Sequence, residues 1–104
     1  MSFQKKGWKK AADQGNLAAQ YNLGVIYQLG HGVPIDSKEA EKLYRTAANQ
    51  GHERAQYNLG NMYNNGWGVP KDRSEAIKWY KRAADQGDNL AKEALQKLGV
   101  AASK

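Results

Sequence analysis

The sequence repeats itself with a period of 36 residues, and this repetition constrains the fold more than any other feature. The hexapeptide AQYNLG at residues 19–24 returns at residues 55–60, and the tripeptide GVP at residues 32–34 returns at residues 68–70. A third motif, AADQG or AANQG, occurs at the same spacing at residues 11–15, 47–51 and 83–87. Repeats of this length form stacked units that bury their apolar faces against one another.

The first half of each period predicts an amphipathic helix, here called the front helix. Over residues 17–29 the apolar or small residues Ala19, Leu23 and Ile26 recur at spacings of three and four, which places them on one helical face. Gly30 follows, at a position where a left-handed glycine commonly ends a helix. The Val-Pro dipeptide of the repeat then keeps the chain extended, so the helix stops there.

The second half of each period predicts another helix, the back helix. Asp36 is an N-cap candidate with Glu39 three residues later, and Asp72 with Glu75 repeats this capping-box pattern. The glycine of the QG pair then ends the helix. The positions expected in the core are Ala40, Leu43, Tyr44, Ala47, Ala76, Trp79, Tyr80 and Ala83.

Gly24 and Gly60 lie in the middle of the two front helices. Glycine costs about 1 kcal/mol relative to alanine at such a position, so a packing reason is expected. We predict that the back helix approaches the front helix closely at each glycine. A leucine at either position would then overpack the pair and destabilise it by roughly 1 to 3 kcal/mol or more.

Front and back helices alternate along the 104 residues, which are expected to form one domain. The expected fold is all-α, a short right-handed α/α superhelix of about six antiparallel helices. It divides into a partial repeat over residues 3–15, repeats over residues 16–51 and 52–87, a capping helix over residues 88–99 and a short tail over residues 100–104.

The first helix, from about residue 3 to residue 14, has no front helix before it. Phe3, Trp8 and Ala11 therefore leave one flank of that helix open. Two explanations stay open. The chain is a monomer or a weak dimer through this end, or it is a piece of a longer array whose preceding helix is missing.

The composition excludes several kinds of catalytic and metal site. Cysteine is absent and the only imidazoles are His31 and His52, which rules out a structural zinc site, an iron–sulfur cluster and a cysteine nucleophile. No nucleophile with a base, no carboxylate pair and no phosphate loop occurs at a recognisable spacing. The expectation is a non-enzymatic protein with no cofactor and no bound metal.

Charge and hydropathy bear on partners and location. The net charge of +6 favours encounters with acidic partners. No apolar stretch is long enough to span a bilayer, and the basic residues 1–10 have no apolar segment behind them, so no signal peptide is expected. The chain is expected in the cytoplasm as given, or in the periplasm or outside the cell if a leader was removed.

The repeat motifs, taken together, resemble the Sel1-like repeats, which are relatives of the tetratricopeptide repeats. In this chain they read AxxxLGxxY, GxGVxxD and AxxxYxxAAxQG, and they extend over about residues 8–98. The resemblance implies an α/α solenoid whose front helices line a concave groove. It also implies a role as an adaptor or scaffold for other proteins, commonly in bacteria. Some relatives carry a disulfide in each repeat, for which this chain has no cysteine.

Helical geometry indicates which side chains would line that groove. At about 100° per residue, Gln20, Leu23, Gly24 and Tyr27 point toward the back helix, so the opposite side faces a partner protein or peptide. Tyrosine supplies rigid contact area with a polar tip, and asparagine can bond a peptide backbone. The predicted partner-binding residues are Tyr21, Asn22, Val25, Leu29, Arg54, Tyr57, Asn58, Asn61, Asn65 and Lys97.

Two pairs of these residues have alternative interpretations. Asn22 and Asn58 are poor mid-helix residues at equivalent positions, so each is expected to make a specific hydrogen bond. That bond either bridges adjacent front helices or contacts a ligand directly. The third interpretation is that the two side chains are simply exposed to solvent. Tyr21 and Tyr57 either face the groove or pack against the neighbouring repeat.

The back helices predict a second surface, the convex basic face. Its residues recur at the 36-residue period, and they are Lys6, Lys9, Lys42, Arg45, Lys78 and Lys81. This face either attracts nucleic acid, an anionic lipid surface or an acidic protein, or is a solvated surface that keeps the solenoid soluble. A third alternative, an inhibitor or immunity-type protein that neutralises one cognate protein, also stays open.

Trp67 and His31 occupy equivalent loop positions between paired glycines. An exposed tryptophan there would anchor a partner, or it would fold back over its repeat. His31 and His52 have no second ligand nearby in sequence and are interpreted as ordinary surface residues.

Overall fold

The computed structural model describes residues 12 and 14–100, and this part of the chain is helical and contains no β-strand. Five helices follow one another: α1 (Leu17–Leu29), α2 (Ser37–Asn49), α3 (Glu53–Asn65), α4 (Arg73–Asp85) and α5 (Asn89–Lys97). The predicted front helices are α1, α3 and α5, and the back helices are α2 and α4. The all-α prediction is therefore confirmed.

The number of helices differs from the prediction of about six. The missing member is the expected first back helix, with the flank of Phe3, Trp8 and Ala11, which lies outside the described residues. Of that segment the structure describes Ala12, which is helical and buried, and the turn at Gln14.

The back helices begin at the predicted caps. Asp36 Oδ1 accepts a hydrogen bond from the Glu39 N–H at 3.1 Å, and Asp72 caps α4 in the same way. The second half of the predicted capping box is not formed, because the Asp36 N–H donates to the Tyr27 carbonyl at 2.8 Å. This bond attaches the start of α2 to the end of α1, and the equivalent bond from Asp72 reaches Tyr63 at 2.9 Å.

Glycine ends the first two front helices, as predicted. Gly30 and Gly66 adopt left-handed φ angles of 74° and 71°. Their N–H groups donate to the carbonyls of Ile26 and Met62, which satisfies acceptors that the helix itself leaves open.

The mid-helix glycines allow the close approach that the sequence predicts. A Cβ atom at Gly24 would lie 2.7 Å from Cε1 of Tyr44, and one at Gly60 would lie 2.7 Å from Cδ1 of Tyr80. Carbon atoms pack favourably at about 3.5–4.0 Å, so these positions have no room for a side chain. Helices α1 and α3 therefore each receive the ring of a buried back-helix tyrosine against their backbone.

These two tyrosines also carry the polar link between front and back helices. The Tyr44 hydroxyl donates to Gln28 Oε1 at 2.6 Å, and the Tyr80 hydroxyl donates to Asn61 Oδ1 at 2.5 Å. Burial raises the pKa of Tyr80 to about 12, with a smaller contribution from the nearby Tyr57. Both hydroxyls therefore stay protonated and act as donors near neutral pH.

Neighbouring repeats are joined by a glutamine network. The buried Gln56 donates from Nε2 to the Ala48 carbonyl at 3.0 Å, and its Oε1 accepts from Gln86 Nε2 at 2.9 Å. Gln86 also donates to the Gly51 carbonyl at 2.9 Å. The helices pack mainly against their neighbours in sequence, and the array measures 44 × 23 × 20 Å. This is the contact pattern of a solenoid.

Candidate functional site

A hollow of about 220 Å³ opens between the front helices α3 and α5. Its wall combines aromatic, amide, apolar and charged side chains. Those from α3 are Tyr57, Asn61 and Asn64, and those from α5 include Leu90, Glu93 and Lys97. Three residues that the sequence assigned to partner binding, Tyr57, Asn61 and Lys97, are therefore brought together here.

The back of the hollow is held rigidly by the packing of its tyrosines. The Tyr57 ring lies 5.9 Å from the Tyr80 ring at an angle of 42°, and Asn61 accepts the Tyr80 hydroxyl bond. Asn61 is therefore a structural acceptor as well as a lining residue. Leu90, at the rim, is 40% exposed and is available for contact.

Asn58 does not line this hollow. It is partly buried, and its side chain lies near the Tyr44 hydroxyl of the preceding back helix. Burial raises the pKa of Tyr44, and the nearby Asn58 side chain offsets part of the effect. The Asn58 side chain therefore lies against a back helix. Asn22, its equivalent on α1, is also partly buried.

Arg54 lies where α3 meets α5. Its Nε is 3.6 Å from Oδ2 of Asp88, whose side chain is 1% exposed. The other carboxylate oxygen of Asp88 caps α5 by accepting from the Ala91 N–H at 3.0 Å. Arg54 thus balances a buried carboxylate at the end of the groove, and its own side chain is about half exposed.

Three further predicted partner-binding residues also lie away from the hollow. Val25 is partly buried and packs against the core around Tyr44. Asn65 donates to the Asn61 carbonyl within its own helix at 2.9 Å. Leu29 is exposed and borders a second hollow at the loop edge of the solenoid.

That second hollow contains the loop tryptophan. It measures about 280 Å³ and is lined by Gln28, Leu29, Ser37 and Trp67. Trp67 therefore lies against the preceding repeat, and it is 48% exposed. His31, in the equivalent loop, is exposed.

Tyr21 and His52 form a contact that the sequence interpretation missed. Their rings stack with centroids 5.0 Å apart at an angle of 18°, and Tyr21 also lies 5.9 Å from the Tyr44 ring. His52 is the N-cap of α3, since its Nδ1 accepts from the Ala55 N–H at 3.1 Å. His52 is therefore a joint between the first two front helices, not an ordinary surface residue.

A signal for the capping role of His52 is present in the sequence. His52 lies midway between Asn16 and Asp88 in the 36-residue register, and both of these are typical capping residues. The structure shows that all three cap a front helix through the same bond, to the backbone N–H three residues later.

The convex basic face is paired with acidic side chains. Lys42 Nζ lies 4.0 Å from Glu39, and Lys78 Nζ lies 3.3 Å from Glu75. Lys81 is partly buried. The glutamates of the predicted capping boxes thus face the lysines one turn later and offset their charge.

Arg45 is also paired with an acidic side chain. Its Nε donates to Glu41 at 2.6 Å, and its guanidinium contacts the Tyr63 hydroxyl of the next front helix. Lys6 and Lys9 lie outside the described residues. Within the described part of the convex face, Lys42, Arg45 and Lys78 are therefore each paired with a glutamate.

Residues 12 and 14–100 contain no cluster of three or more His, Cys, Asp or Glu side chains placed to hold a metal ion. None of the five helices has the length and apolar character that crossing a membrane requires.

Stacked helical hairpins with a groove of aromatic and amide side chains define a protein of the α-solenoid repeat class. The Sel1 repeat model matches residues 8–16, 17–52 and 53–88. The chain therefore belongs to the Sel1 repeat family, whose members are generally non-catalytic scaffolds for protein–protein interaction.

Solved structures agree with this assignment. The chain is similar to a Sel1 repeat protein from Oxalobacter formigenes, at 40% identity and a TM-score of 0.85 over 88% of this chain and 26% of that one. A protective antigen of uropathogenic Escherichia coli, c5321, with an SLR fold, is 39% identical at a TM-score of 0.83, over 91% of this chain and 21% of that one.

A cysteine-rich relative has the same fold. Helicobacter pylori cysteine rich protein B is 25% identical at a TM-score of 0.82, over 88% of this chain and 68% of that one. The chain spans about a quarter of the length of the first two of these relatives. No curated protein matches it.

Proposed function

We propose that this chain is a non-enzymatic binding module that holds an extended segment of a partner protein in the groove of its front helices. The observation that supports this most is the hollow of about 220 Å³ between α3 and α5. Its volume is enough for a large side chain but small for a ligand pocket, since such pockets measure about 300–1,000 Å³.

The chemistry of the wall fits a peptide. The Tyr57 ring and Leu90 offer apolar contact, while the amides of Asn61 and Asn64 supply donors and acceptors for a peptide backbone. Glu93 and Lys97 place opposite charges at the rim. These charges influence which partners approach the groove and how a bound segment is aligned in it. Binding a backbone through amides tolerates many partner sequences.

The test is selection of peptides from a random display library on the immobilised protein, followed by affinity measurements on variants. Leu90→Glu is expected to weaken binding of the selected peptides by at least about tenfold, because it places a charge where apolar contact is made. Leu90 is 40% exposed, so the fold is expected to keep its stability.

The chain offers a matched control, Ile35→Glu, which places the same charge on an exposed apolar loop residue outside the hollow. This variant is expected to bind as the wild type does. Equal affinities for the wild type and Leu90→Glu would contradict the proposal. Binding that survives Leu90→Glu but is lost on Lys78→Glu would favour the convex face instead.

A further inference from the structure

The cap of α3 differs from the caps of the other two front helices in one chemical respect. Asn16 and Asp88 accept the capping bond through oxygen, whereas His52 accepts it through Nδ1. This bond requires the neutral imidazole with its proton on Nε2, because a protonated imidazole has a donor on both nitrogens.

Protonation of His52 therefore removes the cap, because the new Nδ1–H of the ring then faces the Ala55 N–H. It also places a positive charge at a helix N-terminus, where the helix dipole is already positive. The same ring stacks on Tyr21 of α1, so any shift of the imidazole is transmitted to a predicted groove residue of the preceding repeat.

The charged surroundings of His52 are simple. Helix α1 carries no acidic or basic residue, and its Tyr21 stacks on the imidazole. On α3, Glu53 favours the protonated ring and Arg54 opposes it, while Arg54 is itself held at Asp88. Among the described residues of α1 and α3 and the turn between repeats, His52 is the side chain whose ordinary pKa lies near neutral pH.

We propose that His52 is a proton-sensitive joint of the groove, whose protonation uncaps α3, disturbs the stack of its ring on Tyr21 and weakens binding of a partner segment in the groove that α3 lines. This inference deepens the proposed function and rests on it for the binding effect. The effect on the fold is independent of any partner.

Burial lowers the pKa of His52 below its ordinary value of 6.5. The unfolded chain therefore takes up the proton first as the pH falls. The stability that the neutral ring contributes is complete above 6.5 and is lost as the pH falls through the folded-state pKa. Each unit of difference between the two pKa values changes the unfolding constant by about tenfold.

The experiment compares urea unfolding of the wild type, His52→Asn and His31→Asn between about pH 7.5 and about pH 5.5, above the range in which exposed carboxylates titrate. The wild type and His31→Asn are expected to lose stability on acidification. His52→Asn, which copies the cap of α1, is expected to lose much less. Equal losses in all three proteins would overturn the proposal.

A second measurement separates this inference from the proposed function. The affinity of a display-selected peptide is expected to fall on acidification for the wild type and to stay constant for His52→Asn. If the wild type and His52→Asn differ in the pH dependence of unfolding but the peptide affinity of the wild type does not change with pH, the proposed effect on binding is overturned. The proposed effect of His52 on the fold would then stand. If Leu90→Glu binds the peptide as the wild type does, the groove proposal fails, whatever the pH results are.

Discussion

Replacing Gly60 with alanine is expected to destabilise the protein by about 1–3 kcal/mol, although the same change in an open helix would stabilise it by about 1 kcal/mol. The reversed sign follows from the Tyr80 ring, whose Cδ1 would lie 2.7 Å from the new methyl group. The ring cannot move away easily, because its hydroxyl is bonded to Asn61. Gly60→Leu is expected to cost more. Urea unfolding followed by circular dichroism measures both.

A double-mutant cycle isolates this contact. In a Tyr80→Leu background the ring is gone, so adding Gly60→Ala is expected to be neutral or stabilising. Gly24→Ala, opposite Tyr44, repeats the test in the first hairpin and is expected to change stability in the same direction. A stabilising effect of Gly60→Ala in the wild-type background would contradict the packing described here.

Removing the buried tryptophan of α4 is expected to have the largest effect of all. Trp79 is 2% exposed and packs in a core that includes Tyr44 and Leu59 from the two preceding helices. The Arg82 guanidinium lies 4.7 Å from the centre of its ring. Trp79→Ala is expected to cost about 3–5 kcal/mol, since the cavity would open at the joint between two repeats.

Trp67 provides the matched control, because it is the same residue type at 48% exposure. Trp67→Ala is expected to change stability by only about 0.5 kcal/mol. Circular dichroism is the appropriate probe, since both variants alter the fluorescence. If Trp67→Ala loses as much stability as Trp79→Ala, the loop tryptophan belongs to the core.

The helices themselves could be predicted because their determinants are local. Apolar spacing, the caps Asp36 and Asp72 and the terminal glycines each act within a few residues of the helix that they define. The close contacts at Gly24 and Gly60 were also predictable, since an unfavourable residue at equivalent positions needs a reason in tertiary packing.

The hydrogen bonds between helices could not be predicted, because they depend on side-chain reach in three dimensions. The two back-helix tyrosines are equivalent in sequence, yet Tyr80 donates to Asn61 and Tyr44 donates to Gln28. The first repeat has Val25 where the second has Asn61, and valine has no acceptor. The Tyr44 hydroxyl therefore reaches the amide one turn further along α1.

Helical geometry could predict that Tyr57 and Asn61 share one side of α3, which is the side that borders the hollow. The pairing of Lys42 with Glu39 could also be predicted from their spacing of three residues, although the capping-box pattern offers a second role for the same glutamate. The stack of Tyr21 on His52 joins residues 31 positions apart, and no local pattern encodes it.

The most direct test of the groove is the amide NMR spectrum of the protein titrated with a display-selected peptide. The account predicts that the resonances that shift belong to α3 and α5, with Tyr57, Leu90 and Lys97 among those most affected. Shifts confined to the outer sides of α2 and α4, around Lys42 and Lys78, would contradict it.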